Sequence, residues 1–134
     1  MLPDSGLLED VKVEEVDISD MLEVLNKRIS VLLDREHSIG HSYFLPLKKN
    51  STIQTLSKIF ENRIIPLLQE YFYDDYEKIA YVLGDNQKKE HDTRFIVMKS
   101  DISNLFGNAD IEYPDYYEIN KSAFSRIEAY EFLK

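Results

Sequence analysis

The chain contains no cysteine and no tryptophan, and only four glycines and four prolines among its 134 residues. Without cysteine there can be no disulfide staple, no thiolate-ligated zinc and no cysteine nucleophile, and a reducing compartment is the expected setting. So little glycine and proline argues against a linker-rich or low-complexity chain. Basic side chains are the minority, 16 against 25 acidic ones, for a formal charge of −9. Phosphate-coated polymers and anionic membranes then have no general electrostatic reason to attract the chain, and neither direct nucleic-acid binding nor membrane binding is expected. The stretch Met1 to Asp17 lacks the positive and apolar regions of a signal peptide, and no run of about eighteen apolar residues occurs. A cytoplasmic location is expected. Gly6, Gly40, Gly84 and Gly107 form neither a Gly-x-x-x-x-Gly-Lys-Ser/Thr loop nor a Gly-x-Gly-x-x-Gly turn, so the chain cannot hold a triphosphate by that route.

What is present suits a folded core: 43% hydrophobic residues, nine tyrosines and seven phenylalanines. Leu22, Leu25, Ile29 and Leu32 recur at helical spacing, predicting a first helix from Ser19 with Asp17 or Ser19 as its cap. Gly40 is expected to supply the backbone freedom that ends this region, and a loop should follow through Pro46 to Asn50. A second helix is expected from Ser51, with Ile53, Leu56, Phe60, Ile64, Leu67 and Tyr71 on one face and a kink near Arg63 to Ile65, because Pro66 removes a hydrogen bond. Asp74 and Glu77 read as a capping box for a third helix that ends at Gly84. Asp85 to Thr93 is polar and expected to be mobile. Arg94 to Met98 and Tyr116 to Ile119 read as short strands whose pairing would tie the tail to the bundle, with Asp101 capping a turn through Ile102 and Leu105-Phe106. Ser125 to Glu128 is a further capping pattern before a last helical piece. The expected fold is mainly α: a helical bundle with a short β-strand pair and a C-terminal helical tail. Residues 1–134 form one domain in this reading, with a lead-in at 1–18, the bundle at 19–84, and loop, short strands and helical pieces at 85–134.

Chemistry-bearing residues are few. His37 and His41 are four apart, but Ser38-Ile39-Gly40 separates them and Glu36 precedes the pair, so no metal site is expected. Asp74-Asp75 offers too few oxygens for calcium or magnesium and suits helix capping, while the neighbouring Tyr71-Phe72-Tyr73 should lock the two longer helices together. Pro114-Asp115 with Glu118 lacks the Glu-x-Lys that nuclease chemistry would need. Lys48-Lys49 and Lys88-Lys89 are read as solvated loop pairs.

One segment is denser in information. Leu32 to Phe44 reads Leu-Leu-Asp-Arg-Glu-His-Ser-Ile-Gly-His-Ser-Tyr-Phe, and it resembles the Asp-Arg-x-His-x-Ile-Gly-His-Ser/Ala-Tyr-Phe motif that follows the ATPase core in McrB-type AAA+ proteins, the GTPase subunits of modification-dependent restriction systems, and their bacterial relatives. Met1 to Asp4, Leu22 to Ile29, Ile64 to Asp75 and Tyr117 to Asn120 add supporting matches. The resemblance implies the α-helical lid of an AAA+ module, whose Walker A loop, Walker B acid and arginine finger lie upstream. It implies GTP or ATP with magnesium for the parent protein and no cofactor for this chain alone. Its implied partners are the upstream AAA+ α/β core, neighbouring ring subunits and a nuclease subunit. Gly40, His41, Ser42 and Tyr43 fall where related lids place their sensor-2 segment and are the implied nucleotide-facing residues, with Arg35 the nearest fixed cation. Phe44 stands where many such lids carry a phosphate-sensing arginine, which is a departure from the pattern. Apart from the resemblance, Ile39, Tyr43 and Phe44 also suit a loop anchored in the core with His41 bonded to backbone. The alternative reading is a free-standing helical interaction module with a Tyr-rich partner face.

Overall fold

Asp17 ends a strand and begins a helix. In the computed structural model, which describes residues 8, 10–89, 91–99, 105–107 and 116–133, β1 (Lys12–Val13) and β2 (Val16–Asp17) form an antiparallel hairpin with Val13 opposite Val16. Glu14 at its tip adopts the left-handed region, φ 53°. Val13 and Val16 are buried, so part of the stretch read as an unpatterned lead-in is a hairpin too short to show a period. The Asp17 carboxylate then accepts from the Asp20 amide at 3.2 Å and caps α1 (Ile18–Leu32). Its buried face is Ile18, Met21, Leu22, Leu25 and Ile29, in the predicted register.

The second helix departs from expectation at its start. Thr52, not Ser51, is the cap, accepting from the Thr55 amide, while the Ser51 hydroxyl donates back to the Leu47 carbonyl. α2 (Ile53–Ile59) runs into a π-helical turn at Phe60–Ile64 and on into α3 (Ile65–Tyr71), with right-handed helical angles at both junctions. Pro66 has no N–H, and in regular α spacing its ring would crowd the carbonyl four residues back. The wider turn, in which the Ile65 amide donates to the Phe60 carbonyl, accommodates that conflict, and α3 restarts at Ile65 within the expected stretch. Tyr73 and Asp74 then turn the chain with left-handed φ values of 51° and 60°. Asp75, rather than Asp74, caps α4 (Tyr76–Val82) by accepting from the Lys78 amide. Of the neighbouring aromatics Phe72 is buried, Tyr71 is half-buried and Tyr73 is exposed.

Gly84 ends this region with φ +76°. A β-carbon there would stand 2.9 Å from Phe132 Cβ and 3.2 Å from the Phe132 carbonyl oxygen, so the position needs glycine on steric as well as dihedral grounds. Arg28 of α1 uses the same space: its guanidinium donates to the Val82 carbonyl at 3.0 Å and the Phe132 carbonyl at 2.8 Å, joining α1, α4 and the tail. Burial pulls its pKa down from the ordinary value.

Asp85 to Thr93, expected to be polar and mobile, holds a buried ion pair instead. Asp85 and Lys88 side chains are 3% and 1% exposed and meet at 2.7 Å. The carboxylate also accepts the amides of Phe95 and Ile96 at 3.0 and 2.8 Å. Lys88 also donates to the Thr93 carbonyl, and its ammonium lies 3.9 Å from the Phe95 ring centroid. Lys88 is therefore not the solvated loop lysine the sequence suggested, although Lys89 is exposed. Burial pushes the Asp85 carboxyl up and the Lys88 ammonium down from their ordinary values, and their contact opposes both.

The Asp85 anchor starts β3 (Ile96–Lys99), which pairs antiparallel with β4 (Tyr116–Ile119), Ile96 facing Ile119 and Lys99 facing Tyr116. This is the predicted pairing, begun two residues late because Arg94 and Phe95 lie outside the ladder. The tail follows as two 3-10 segments, Lys121–Ser125 and Ile127–Leu133, separated by an extended Arg126. Phe44, Phe60, Phe95, Phe124 and Tyr130, all fully buried, form the aromatic centre, with ring centroids 4.9 to 6.1 Å apart. Each such pair adds about 0.5–1.5 kcal/mol beyond area burial, so the centre binds the tail to the π turn. The fold is mainly helical with short two-stranded sheets, as the sequence indicated. Asp101, Ile102, Pro114-Asp115 and Met1 to Asp4 lie outside the described residues.

Candidate functional site

The segment between α1 and α2 is held from three sides. The Asp34 carboxylate accepts the amides of Glu36 and His37, both at 2.9 Å, and lies 2.7 Å from His37 Nδ1. That His37 contact, foremost, holds the Asp34 carboxyl below its ordinary value. The His37 ring meets Tyr71 edge-on at 4.9 Å, and the Tyr71 hydroxyl donates to the Ser38 carbonyl at 2.8 Å. Burial raises the Tyr71 pKa, with the nearby Tyr43 phenol adding to it. Asn26 of α1 bonds both backbone groups of Ile39, its amide donating to the carbonyl and its oxygen accepting the N–H. Ile39 and Phe44 are fully buried. Asp34, His37, Ile39 and Phe44 thus fix the segment, and the polar residues between them are presented by it.

The predicted site residues separate on this frame. Arg35 is exposed in the turn that Asp34 organises. Gly40 has extended angles, φ −74° and ψ 148°, and a β-carbon would meet only Ser42 Oγ at 3.7 Å. The glycine conformation expected there is absent, and α1 already ends at Leu32. His41 is half-buried at the start of a 3-10 helix, His41–Lys48, which replaces the expected loop. Ser42 is exposed and Tyr43 half-buried.

Ser42 and Tyr43 share an open cleft of about 560 Å³ with Pro46 from the 3-10 helix and Thr55, Lys58, Ile59, Asn62 and Arg63 from α2 and the π turn. Arg35, Gly40 and His41 do not line it. Its two charged lining residues, Lys58 and Arg63, are both cations, on a chain whose acids outnumber its bases. Neither has an ion-pair partner among the described residues. Glu61, on the same helix, lies 3.9 Å from Lys121 of the tail. A cleft of this size with an apolar floor, hydroxyl and amide groups and two cations is suited to a small anionic ligand. The sequence reading passed over Lys58, Arg63, Thr55 and Asn62. Their signal was available in the spacing 55, 58, 62 on one helix face, but nothing local placed that face against Ser42 and Tyr43.

Among the described residues no three His, Asp or Glu side chains converge as a metal site, and no helix is long and apolar enough to cross a membrane. Compared with known families, residues 17–80 match the one described as McrB, alpha-helical lid domain. The match runs from the Asp17 cap into α4 and includes the whole held segment and every residue of the cleft. No curated protein matches the chain.

Proposed function

We propose that this chain, whose residues 17–80 match the McrB alpha-helical lid domain, closes over the nucleotide of an AAA+ nucleoside triphosphatase and contributes to subunit assembly, and does not hydrolyse nucleotide alone. The observation that carries this reading is the coincidence of the matched region with the cleft. Exposed Ser42 and half-buried Tyr43 of the motif line a cleft with two cations, next to a segment that Asp34, Asn26 and Tyr71 hold by hydrogen bonds. A lid acts by excluding water and completing a site whose other groups lie on another body. The nucleotide of the parent is GTP or ATP with magnesium, and the groups that the lid meets belong to an AAA+ α/β core and neighbouring ring subunits.

The test is to purify the chain alone and joined to the AAA+ core encoded upstream of it. Turnover of GTP or ATP is expected only in the joined protein, and Tyr43→Phe or His41→Ala there should lower turnover without lowering the thermal midpoint. Hydrolysis by the chain alone, or full turnover by a core lacking residues 17–80, would refute the reading.

A further inference from the structure

We infer that the cleft between the His41–Lys48 helix and the α2–π turn helix is a phosphate site, with Lys58 and Arg63 supplying the charge and Ser42, Thr55 and Asn62 the hydrogen bonds. This deepens the lid reading, on which its biological role rests, but the binding itself needs only this chain.

Three observations converge on it. Phe44, standing where the resemblance implies a phosphate-sensing arginine, is fully buried in the aromatic centre. Charge for phosphate must then come from elsewhere, and the cleft beside the motif contains two cations with no acid among its lining residues. Second, Lys58 and Arg63 are exposed and lack ion-pair partners among the described residues. Third, Thr55, Lys58 and Asn62 share one helix face at three- and four-residue spacing, and Arg63 in the π turn at Phe60–Ile64 lines the same cleft, so four polar side chains of one continuous helix share it with Ser42 and Tyr43. Phosphate fits better than a lone carboxylate, because several donors of two geometries, a guanidinium fork and a point ammonium, surround a volume suited to more than one oxyanion. Tyr43, Pro46 and Ile59 leave an apolar wall for the uncharged part of a nucleotide.

The experiment titrates the whole chain at low salt with inorganic tripolyphosphate, then GTP and ATP, following backbone amide shifts. Wild-type shifts are expected around residues 42–63. The double variant Lys58→Ala/Arg63→Ala should weaken binding about tenfold or more, whereas Lys78→Ala/Lys89→Ala, which removes the same charge from exposed sites outside the cleft, should leave it unchanged. All four positions are exposed, and a thermal melt verifies that each variant stays folded. Equal weakening in the two double variants, shifts centred elsewhere, or binding of poly-glutamate but not tripolyphosphate would overturn the proposal. Tripolyphosphate binding in the cleft with unchanged turnover of the joined protein bearing Arg63→Ala would uphold the site and remove the lid reading. Turnover lost on deleting residues 17–80, without tripolyphosphate binding, would do the reverse.

Discussion

Truncating Asp85 to alanine should unfold this protein more readily than any change on its surface. The substitution strands the Lys88 ammonium, 1% exposed, with the Thr93 carbonyl and the Phe95 ring as its described partners. It also takes the acceptor from the Phe95 and Ile96 amides, which start β3. Breaking one side of a buried ion pair costs about 3–5 kcal/mol, and a buried donor left unmet about 1–3 kcal/mol. Burial already pulls the Lys88 pKa down, so loss of its proton moderates the sum, and we expect about 4 kcal/mol for Asp85→Ala. Against the roughly 5–15 kcal/mol that holds a domain together, this is a large fraction. Lys88→Met leaves the carboxylate with both amide donors and should cost less, about 2–3 kcal/mol. In the double variant no charge is stranded, so the combined loss should fall short of the sum by at least about 1 kcal/mol. Urea denaturation of the four proteins measures the cycle, and amide exchange at Phe95 and Ile96 should accelerate in both variants that lack Asp85. Single variants within about 0.5 kcal/mol of wild type, with additive effects, would mean the 85–93 segment is solvated and the reasoning wrong.

Other consequences are open to direct measurement. Burial raises the Tyr130 pKa far above its ordinary 10.0, and its hydroxyl donates to the Phe124 carbonyl. Above about pH 10 the unfolded chain releases this proton while the folded chain keeps it, so stability should fall by about 1.4 kcal/mol per pH unit from this group. Tyr130→Phe removes that slope at a neutral-pH cost of about 1 kcal/mol, and its deficit against wild type should shrink between about pH 9 and pH 11; a constant gap would contradict the assignment. Gly84→Ala forces a β-carbon into Phe132 at a left-handed position and should cost about 2 kcal/mol or more in denaturant, whereas Gly40→Ala should cost less than about 1 kcal/mol. Asn26→Ala leaves both backbone groups of Ile39 without their partner. A loss of about 1–3 kcal/mol is expected, with faster exchange confined to residues 34–43, and uniform acceleration across the chain would count against local anchoring.

Local signals in the sequence reached as far as local physics does. The apolar spacing of α1, a cap at Asp17 or Ser19, the stop at Gly84 and the two short strands were legible, because each depends on residues within about one turn or on β-branched and aromatic content within a strand. The motif from Asp34 to Phe44 was legible as a family resemblance, and its matched region covers residues 17–80. Tertiary structure decided the rest. Lys88 is buried because Asp85, Thr93 and Phe95 fold around it, and no window of loop composition distinguishes such a lysine from a solvated one. The disruption expected around Pro66 takes the form of a π turn with Phe60, Ile64 and Ile65 all buried, a form that the proline alone does not specify. The charge of the cleft likewise emerges only when α2 is laid against the His41–Lys48 helix, since Lys58 and Arg63 stand 15 to 21 residues from Ser42 and Tyr43 in sequence. Periodicity fixes which face of a helix turns inward; which partners the outward face meets is set by packing between distant segments.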